Sequence, residues 1–201
     1  MMKQNYLVLL SLILVFSCTS DRDISDTVIV NPDAQIIHYW DFNSATNLVQ
    51  PMQTTGGTSI SYQGASFDSV EGTLLNSKLN SDAGTALRLR NPAGDLTIAI
   101  PTLGYKDVVL SYAIMRTGNG SQIQTLLYTT DGINYTSQGI TDNIVSVTEI
   151  YTVKQFDFSA VPLVNNNPNF KIKIVFSNGS ENLTGNNRLD NLVLEGIPSG
   201  D

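Results

Sequence analysis

The side chains able to do covalent or acid–base chemistry are few and scattered. His38 is the one histidine, Cys18 the one cysteine, and the four glutamates (Glu71, Glu149, Glu181 and Glu195) stand singly. A nucleophilic triad needs a base held beside its nucleophile. His38 alternates with Trp40 and Phe42 on what reads as an apolar strand face, which marks it as a structural histidine. Glycoside hydrolysis needs two carboxylates at a set separation. Asp68 and Glu71 lie close in sequence, but in a stretch that reads as a surface loop. There is no His-Glu-x-x-His, no glycine-rich phosphate cradle and no dinucleotide fingerprint. The expectation is a protein that binds and does not catalyse.

Arg88, Arg90 and Arg116, together with Tyr105, are the candidate ligand-binding residues. Guanidinium groups offer planar donors to hydroxyls, and a tyrosine ring offers a face to C–H groups, so the set suits a carbohydrate. The alternative is a solvated strand face. The loops at Asn165-Asn166-Asn167 and Asn186-Asn187 are open candidates too, though asparagine is also a turn former. Asp190 shares strand phase with Leu192 and Leu194 and is expected to point inward. A buried carboxylate needs a partner: a cation, backbone N–H groups, or Arg188 two residues away.

These residues sit in a chain of 201 residues with net charge -7 and only 14% charged side chains. Once a leader is removed, that length suits one domain. With no basic stripe to displace counterions, nucleic acid is excluded as a partner. A single cysteine rules out an intramolecular disulfide and a thiolate metal site. Burial alone must stabilise the domain.

After the leader no helical period is sustained, and short alternating runs are broken by Gly, Asn, Asp and Pro. Strands are expected around His38–Phe42, Thr58–Tyr62, Ala86–Arg90, Leu96–Ile100, Val108–Met115, Ile123–Thr130, Glu149–Phe158, Lys171–Phe176 and Arg188–Glu195. Both faces of Val108–Met115 are apolar or small, so this strand belongs in the middle of a sheet. Asp131-Gly132 supplies the chemistry of a hairpin turn. The phase change between Tyr151/Val153 and Phe156/Phe158 predicts a bulge near Lys154-Gln155. The first and last strands are expected side by side, which makes residues 34–197 one all-β sandwich, followed by a short tail, 198–201.

Several phrases in order resemble the galactose-binding-like jelly-roll modules of secreted bacterial proteins. They are Leu87-Arg88-Leu89, Leu96 to Pro101, Val109 to Tyr112, Tyr128 to Gly132, Phe156 to Ser159 and Arg188 to Leu192. The resemblance implies a jelly-roll β-sandwich and a structural calcium between first and last strands, for which Asp41, Asn43 and Asp190 are the matching oxygen ligands.

The N-terminus resembles that of a bacterial lipoprotein. Met1 to Asn5 carries one lysine, Tyr6 to Phe16 is apolar but far shorter than the ~20 residues of a spanning helix, and Ser17 precedes Cys18. The resemblance makes 1–17 a signal peptide and Cys18 the lipidated first residue of the mature chain. A non-lipidated leader cleaved nearby and an uncleaved anchor are the alternatives. Residues 18–33 read as a flexible acidic tether. An acidic patch after the cysteine resembles the surface-export signal of Bacteroidetes-type lipoproteins, which implies the outer membrane and the cell surface. Asp26-Thr27-Val28 and Asp68-Ser69-Val70 resemble the O-glycosylation motif of the same group. The functional expectation is a surface binding module for a glycan. The alternative is a structural component that contacts another envelope protein and takes no small ligand.

Overall fold

The alternation with period two from Gln35 to Pro198 becomes twelve strands in the computed structural model, which describes residues 31–181 and 183–200. In chain order they are β1 (Gln35–Trp40), β2 (Gln53–Thr54), β3 (Ser59–Tyr62), β4 (Ser66–Glu71), β5 (Thr85–Arg90) and β6 (Leu96–Ala99). There follow β7 (Tyr105–Arg116), β8 (Ile123–Thr129), β9 (Ile144–Ser146), β10 (Thr152–Asp157), β11 (Lys171–Ser177) and β12 (Asn186–Pro198). One 3-10 turn, Pro162–Val164, lies between β10 and β11. Among the described residues no helix is long and apolar enough to cross a membrane. The signal peptide, Cys18, Asp26-Thr27-Val28 and the tether as far as residue 30 lie outside the described residues.

The strands form two antiparallel sheets, the layers of an all-β jelly-roll sandwich. The first runs β10-β7-β12-β1-β2, with β5 and then β4 added beside β12; the second runs β3-β6-β11-β8-β9. β12 is the spine. One of its edges pairs with β7 along most of its length, while the other is shared, with Asn186–Leu189 on β5 and Leu192–Gly196 on β1. The expected contact of first and last strands is therefore present, with Trp40 opposite Leu192. β7 lies between β10 and β12, as its two apolar faces require.

The inner faces meet in one core. The first sheet contributes Trp40, Leu87, Leu89, Leu110, Tyr112 and Ile114, and the second Leu96, Ile98, Leu126, Tyr128, Ile172 and Ile174. Phe158 and Phe170 come from loops to stack edge-on at 5.2 Å, and Phe158 meets Tyr128 at 5.5 Å. Such pairs add about 0.5–1.5 kcal/mol beyond burial. The long loop after β10 is thus anchored by its own aromatics.

Three local expectations are corrected. β10 pairs with β7 in unbroken register from Thr152↔Ile114 to Asp157↔Val109, so there is no bulge at Lys154-Gln155; the phase does not change, because Val153 lies opposite Ala113 and faces outward. The register shifts lie elsewhere: β12 carries an extra residue between Asp190 and Val193, β7 carries one opposite Glu195–Ile197, and β1 carries one between Ile36 and His38. Asp68-Ser69-Val70 is not loop but part of β4, and β2 and β9 are further strands that periodicity over so few residues does not reveal. The Asp131-Gly132 turn is present, but its return segment makes only the single bridge Tyr128↔Thr136, and β8 pairs instead with β9.

Candidate functional site

Between β4 and β5 the chain leaves the sheet edge as a strap, residues 72–84, and lies across the outer face of the first sheet. Its ends are pinched together by Gly72 N–H donating to the Gly84 carbonyl at 3.1 Å. Both ends must be glycine. A Cβ on Gly72 would fall 2.2 Å from the Ala83 carbonyl oxygen, and one on Gly84, where φ is +41°, would fall 1.8 Å from Asn43 Oδ1.

Side chains of β12 and β1 fasten the strap. Asn191, in left-handed backbone at φ 47°, donates its amide to the carbonyls of Thr73 (2.7 Å) and Leu75 (3.0 Å) and accepts the Tyr39 hydroxyl at 2.6 Å. Asn76 in turn donates to the Asn191 carbonyl at 2.8 Å and to Ser111 Oγ at 3.0 Å. Lys78 pairs with Glu195 at 3.2 Å. The outward odd positions of β7 and β10 then meet the strap across a groove of about 280 Å³. Val109, Ser111, Val153 and Gln155 form its floor, Asn76, Lys78, Asp107 and Glu195 its walls, and Asn31 and Ala34 close one end. Amide, hydroxyl and charged groups ring a small apolar floor, which is the chemistry that a saccharide presents in reverse.

Of the candidate ligand-binding residues, Arg88 and Arg90 come together. Both grip Asp68, Arg88 through Nε (2.6 Å) and Nη2 (2.8 Å), Arg90 through Nε (3.1 Å) and Nη2 (2.7 Å). Arg116 and Tyr105 do not join them. They occupy opposite ends of β7, roughly 36 Å apart along the strand at about 3.3 Å per residue. Arg116 pairs with Glu149 at 3.3 Å and donates to the carbonyls of Val147, Thr117 and Gly118, so it pins loops. Tyr105 is half-buried and packs on the core. Side chains grouped by residue type alone are here separated by the length of one strand.

The two arginines hold the Asp68 carboxyl at about 2, below its ordinary 3.8. A depressed carboxylate contributes stability above its unfolded value and loses it as pH falls through the folded one. Asp68→Asn is expected to lower the unfolding free energy read in urea at pH 7 by less than about 1 kcal/mol, because the trio is partly exposed and screened. The difference between the two proteins should shrink as pH falls below 3.8 and close only below pH 2.

The three expected calcium ligands are each hydrogen-bonded within the protein. Asn43 turns its Oδ1 to Thr85 N–H (2.6 Å) and its amide nitrogen toward Asp41 (3.2 Å), Ser81 (3.1 Å) and the Asp82 carbonyl (3.1 Å). It ties the strap to β1. Asp41 accepts Ser81 Oγ at 2.7 Å. Asp190 is fully buried and accepts the N–H groups of Thr73 (2.7 Å) and Asn191 (2.8 Å), so backbone donors satisfy it, not Arg188. Among the described residues no three His, Cys, Asp or Glu side chains converge as a metal set. Burial pushes the Asp190 carboxyl up to about 7 against the pull of its two N–H donors, and the nearby charge of Asp41 adds to the push.

His38 is buried. Its Nε2 donates to the Pro101 carbonyl at 2.7 Å and its Nδ1 accepts Thr54 Oγ1 at 2.9 Å; burial lowers its pKa. A neutral imidazole wired this way bridges the two sheets.

The strap and the groove were not legible in the residues beforehand. Gly72 and Gly84 bracket an Asn-rich stretch, which signals a loop but not the surface it crosses. Asn76, Lys78, Asp107, Ser111, Gln155 and Glu195 meet only through strand pairing far apart in sequence.

No family model matches the chain, and no curated protein does. Among solved structures it is similar to the CBM22-1 xylan-binding domain of Paenibacillus barcinonensis Xyn10C, at 12% identity and TM-score 0.49, over 85% of this chain and 100% of that one. It is similar to the family 11 carbohydrate-binding module of Clostridium thermocellum in complex with a β-1,3-1,4-mixed-linked tetrasaccharide, at 14% identity and TM-score 0.44, over 83% and 100%. A third is the K2 cleaved adhesin domain of Lys-gingipain, at 10% identity and TM-score 0.44, over 80% and 97%. The sandwich itself rests on the strand pairing described above.

Proposed function

We propose that this protein is a non-catalytic carbohydrate-binding module, held at the outer membrane by a lipid on Cys18 and facing the cell surface. The groove carries the reading. Its polar rim is preorganised, because Asn76 and Lys78 are fixed by Asn191, Ser111 and Glu195 before any ligand arrives. Donors and acceptors held in place avoid the ordering cost that weakens flexible sites. The valine floor suits the C–H face of a pyranose.

The anchor supplies location. Each buried methylene of an acyl chain contributes about 0.8 kcal/mol, and two or more chains hold a protein stably. A second reading, contact with another envelope protein, is favoured by the exposed leucines Leu74, Leu75 and Leu79 on the strap.

The test is retention on a panel of insoluble and gel-embedded polysaccharides (xylan, mixed-linked glucan and galactan), with palmitate labelling of cells expressing wild-type or Cys18→Ser protein. At least one polysaccharide should retain the protein. Gln155→Ala should weaken that binding about tenfold, the loss of one good hydrogen bond. Label should disappear with Cys18→Ser. Flat binding across the panel overturns the carbohydrate reading, and a single stoichiometric protein partner would replace it.

A further inference from the structure

On the outer face of the first sheet, at the opposite end of β12 from the groove, three arginines stand in one row. Arg88 and Arg90 are two residues apart on β5, and Arg188 on β12 is directly opposite Arg88 in register. On the other side of β5, Asp68 of β4 is opposite Arg88. That one carboxylate accepts from both β5 arginines and fixes their guanidinium planes. Arg188 donates its Nε to Asn186 Oδ1 at 3.2 Å, and among the described residues no carboxylate lies within ion-pair distance of it. Asp190, two residues along, has both oxygens on backbone N–H groups.

The row is at odds with the rest of the molecule. Like charges directly opposite on neighbouring strands repel, and Arg88 and Arg188 are such a pair. The chain has only 11 basic residues and a net charge of -7, yet three guanidiniums share a patch in which one carboxylate, Asp68, is ion-paired. Their planar donors match an oxyanion better than a hydroxyl. Tyr151 adjoins the row, where the charges of Asp190, Arg188 and Glu71 all reach its hydroxyl.

We propose that the Arg88–Arg90–Arg188 row binds the oxyanion of an acidic saccharide, a uronate carboxylate or a sulfate ester. Arg188 and the Nη1 groups of Arg88 and Arg90 are the donors, and Asp68 acts as the positioning residue. This rests on the carbohydrate reading and narrows it to a charged substrate class.

The experiment measures binding of the purified chain to polygalacturonate, dextran sulfate, neutral dextran and xylan by affinity electrophoresis. Wild type is compared with Arg188→Gln and Arg188→Lys, neither of which touches the Asp68 clamp. One of the two acidic polymers should bind at least tenfold more tightly than neutral dextran, and which one assigns carboxylate or sulfate. Arg188→Gln should remove that preference, Arg188→Lys should keep part of it, and added NaCl should weaken it. Equal binding of acidic and neutral polymers, or an unchanged preference in Arg188→Gln, overturns the proposal. If xylan still binds in that case, the module reading survives; if nothing binds, both fail.

Discussion

Asn191→Ala is expected to destabilise the fold by about 3–5 kcal/mol and to free the strap. Three partners lose their hydrogen bonds at once: the Tyr39 hydroxyl and the carbonyls of Thr73 and Leu75. A buried polar group left unpaired costs about 1–3 kcal/mol, reduced where water can enter. Alanine must also hold φ at 47°, a conformation that costs a non-glycine residue about 1 kcal/mol more than it costs asparagine. Asn191→Gly removes the same bonds without that strain, so it should recover roughly 1 kcal/mol of the loss. Urea denaturation reads the stability. Limited proteolysis reads the strap, with new cleavage expected between residues 73 and 81. A loss below about 1 kcal/mol would mean that the strap is held by something other than Asn191, and the groove wall would need another explanation.

The second large effect is a fall in stability as pH rises. Asp190 has a folded pKa pushed up to about 7 from 3.8. Between those values the folded state binds more protons at this site than the unfolded state does. Its contribution is therefore complete below the unfolded value, declines by at most about 1.4 kcal/mol per pH unit, and is gone above 7. His38 acts in the opposite sense: its lowered pKa removes stability as pH falls below its ordinary 6.5. Asp190→Asn separates the two. The difference in stability between wild type and this variant, measured by urea at pH 5, 6, 7 and 8, should drift against wild type up to pH 7 and level off by pH 8. A constant difference would place the Asp190 titration outside this range. The same network predicts that EDTA leaves the melting temperature at pH 8 unchanged, because Asp41, Asn43 and Asp190 each have hydrogen-bond partners within the protein. A clear rise with added Ca²⁺ would instead put a cation between Asp41 and Asp190.

Both predictions turn on β12, and β12 shows how far the residues alone could be read. Its alternation, the central position of β7 and the pairing of first and last strands follow from period-two burial, a local property visible along the chain. The inward direction expected of Asp190 from its phase with Leu192 and Leu194 is overturned: the register shifts between Asp190 and Val193, so Asp190 lies opposite Ala113 on the outer face and is buried beneath the strap. Its partner was not legible either, because the choice between a cation, Arg188 and backbone N–H groups depends on where the strap lies. Likewise the pairing of Arg88 and Arg90 on one face was legible from their spacing, while their grip on Asp68 depends on β4 being a strand.

By itself the chain determined an all-β domain, a single histidine and the strand phase of most core residues. These are consequences of composition and of contacts between near neighbours. Only the tertiary structure decided which outward faces meet. The groove joins residues 31–34, 76–78, 107–111, 153–155 and 195, and the arginine row joins β5 to β12. The physical reason is register. Each strand fixes which of its side chains face outward, but which strand lies beside it is set by burying two sheets against each other, and no local pattern encodes that.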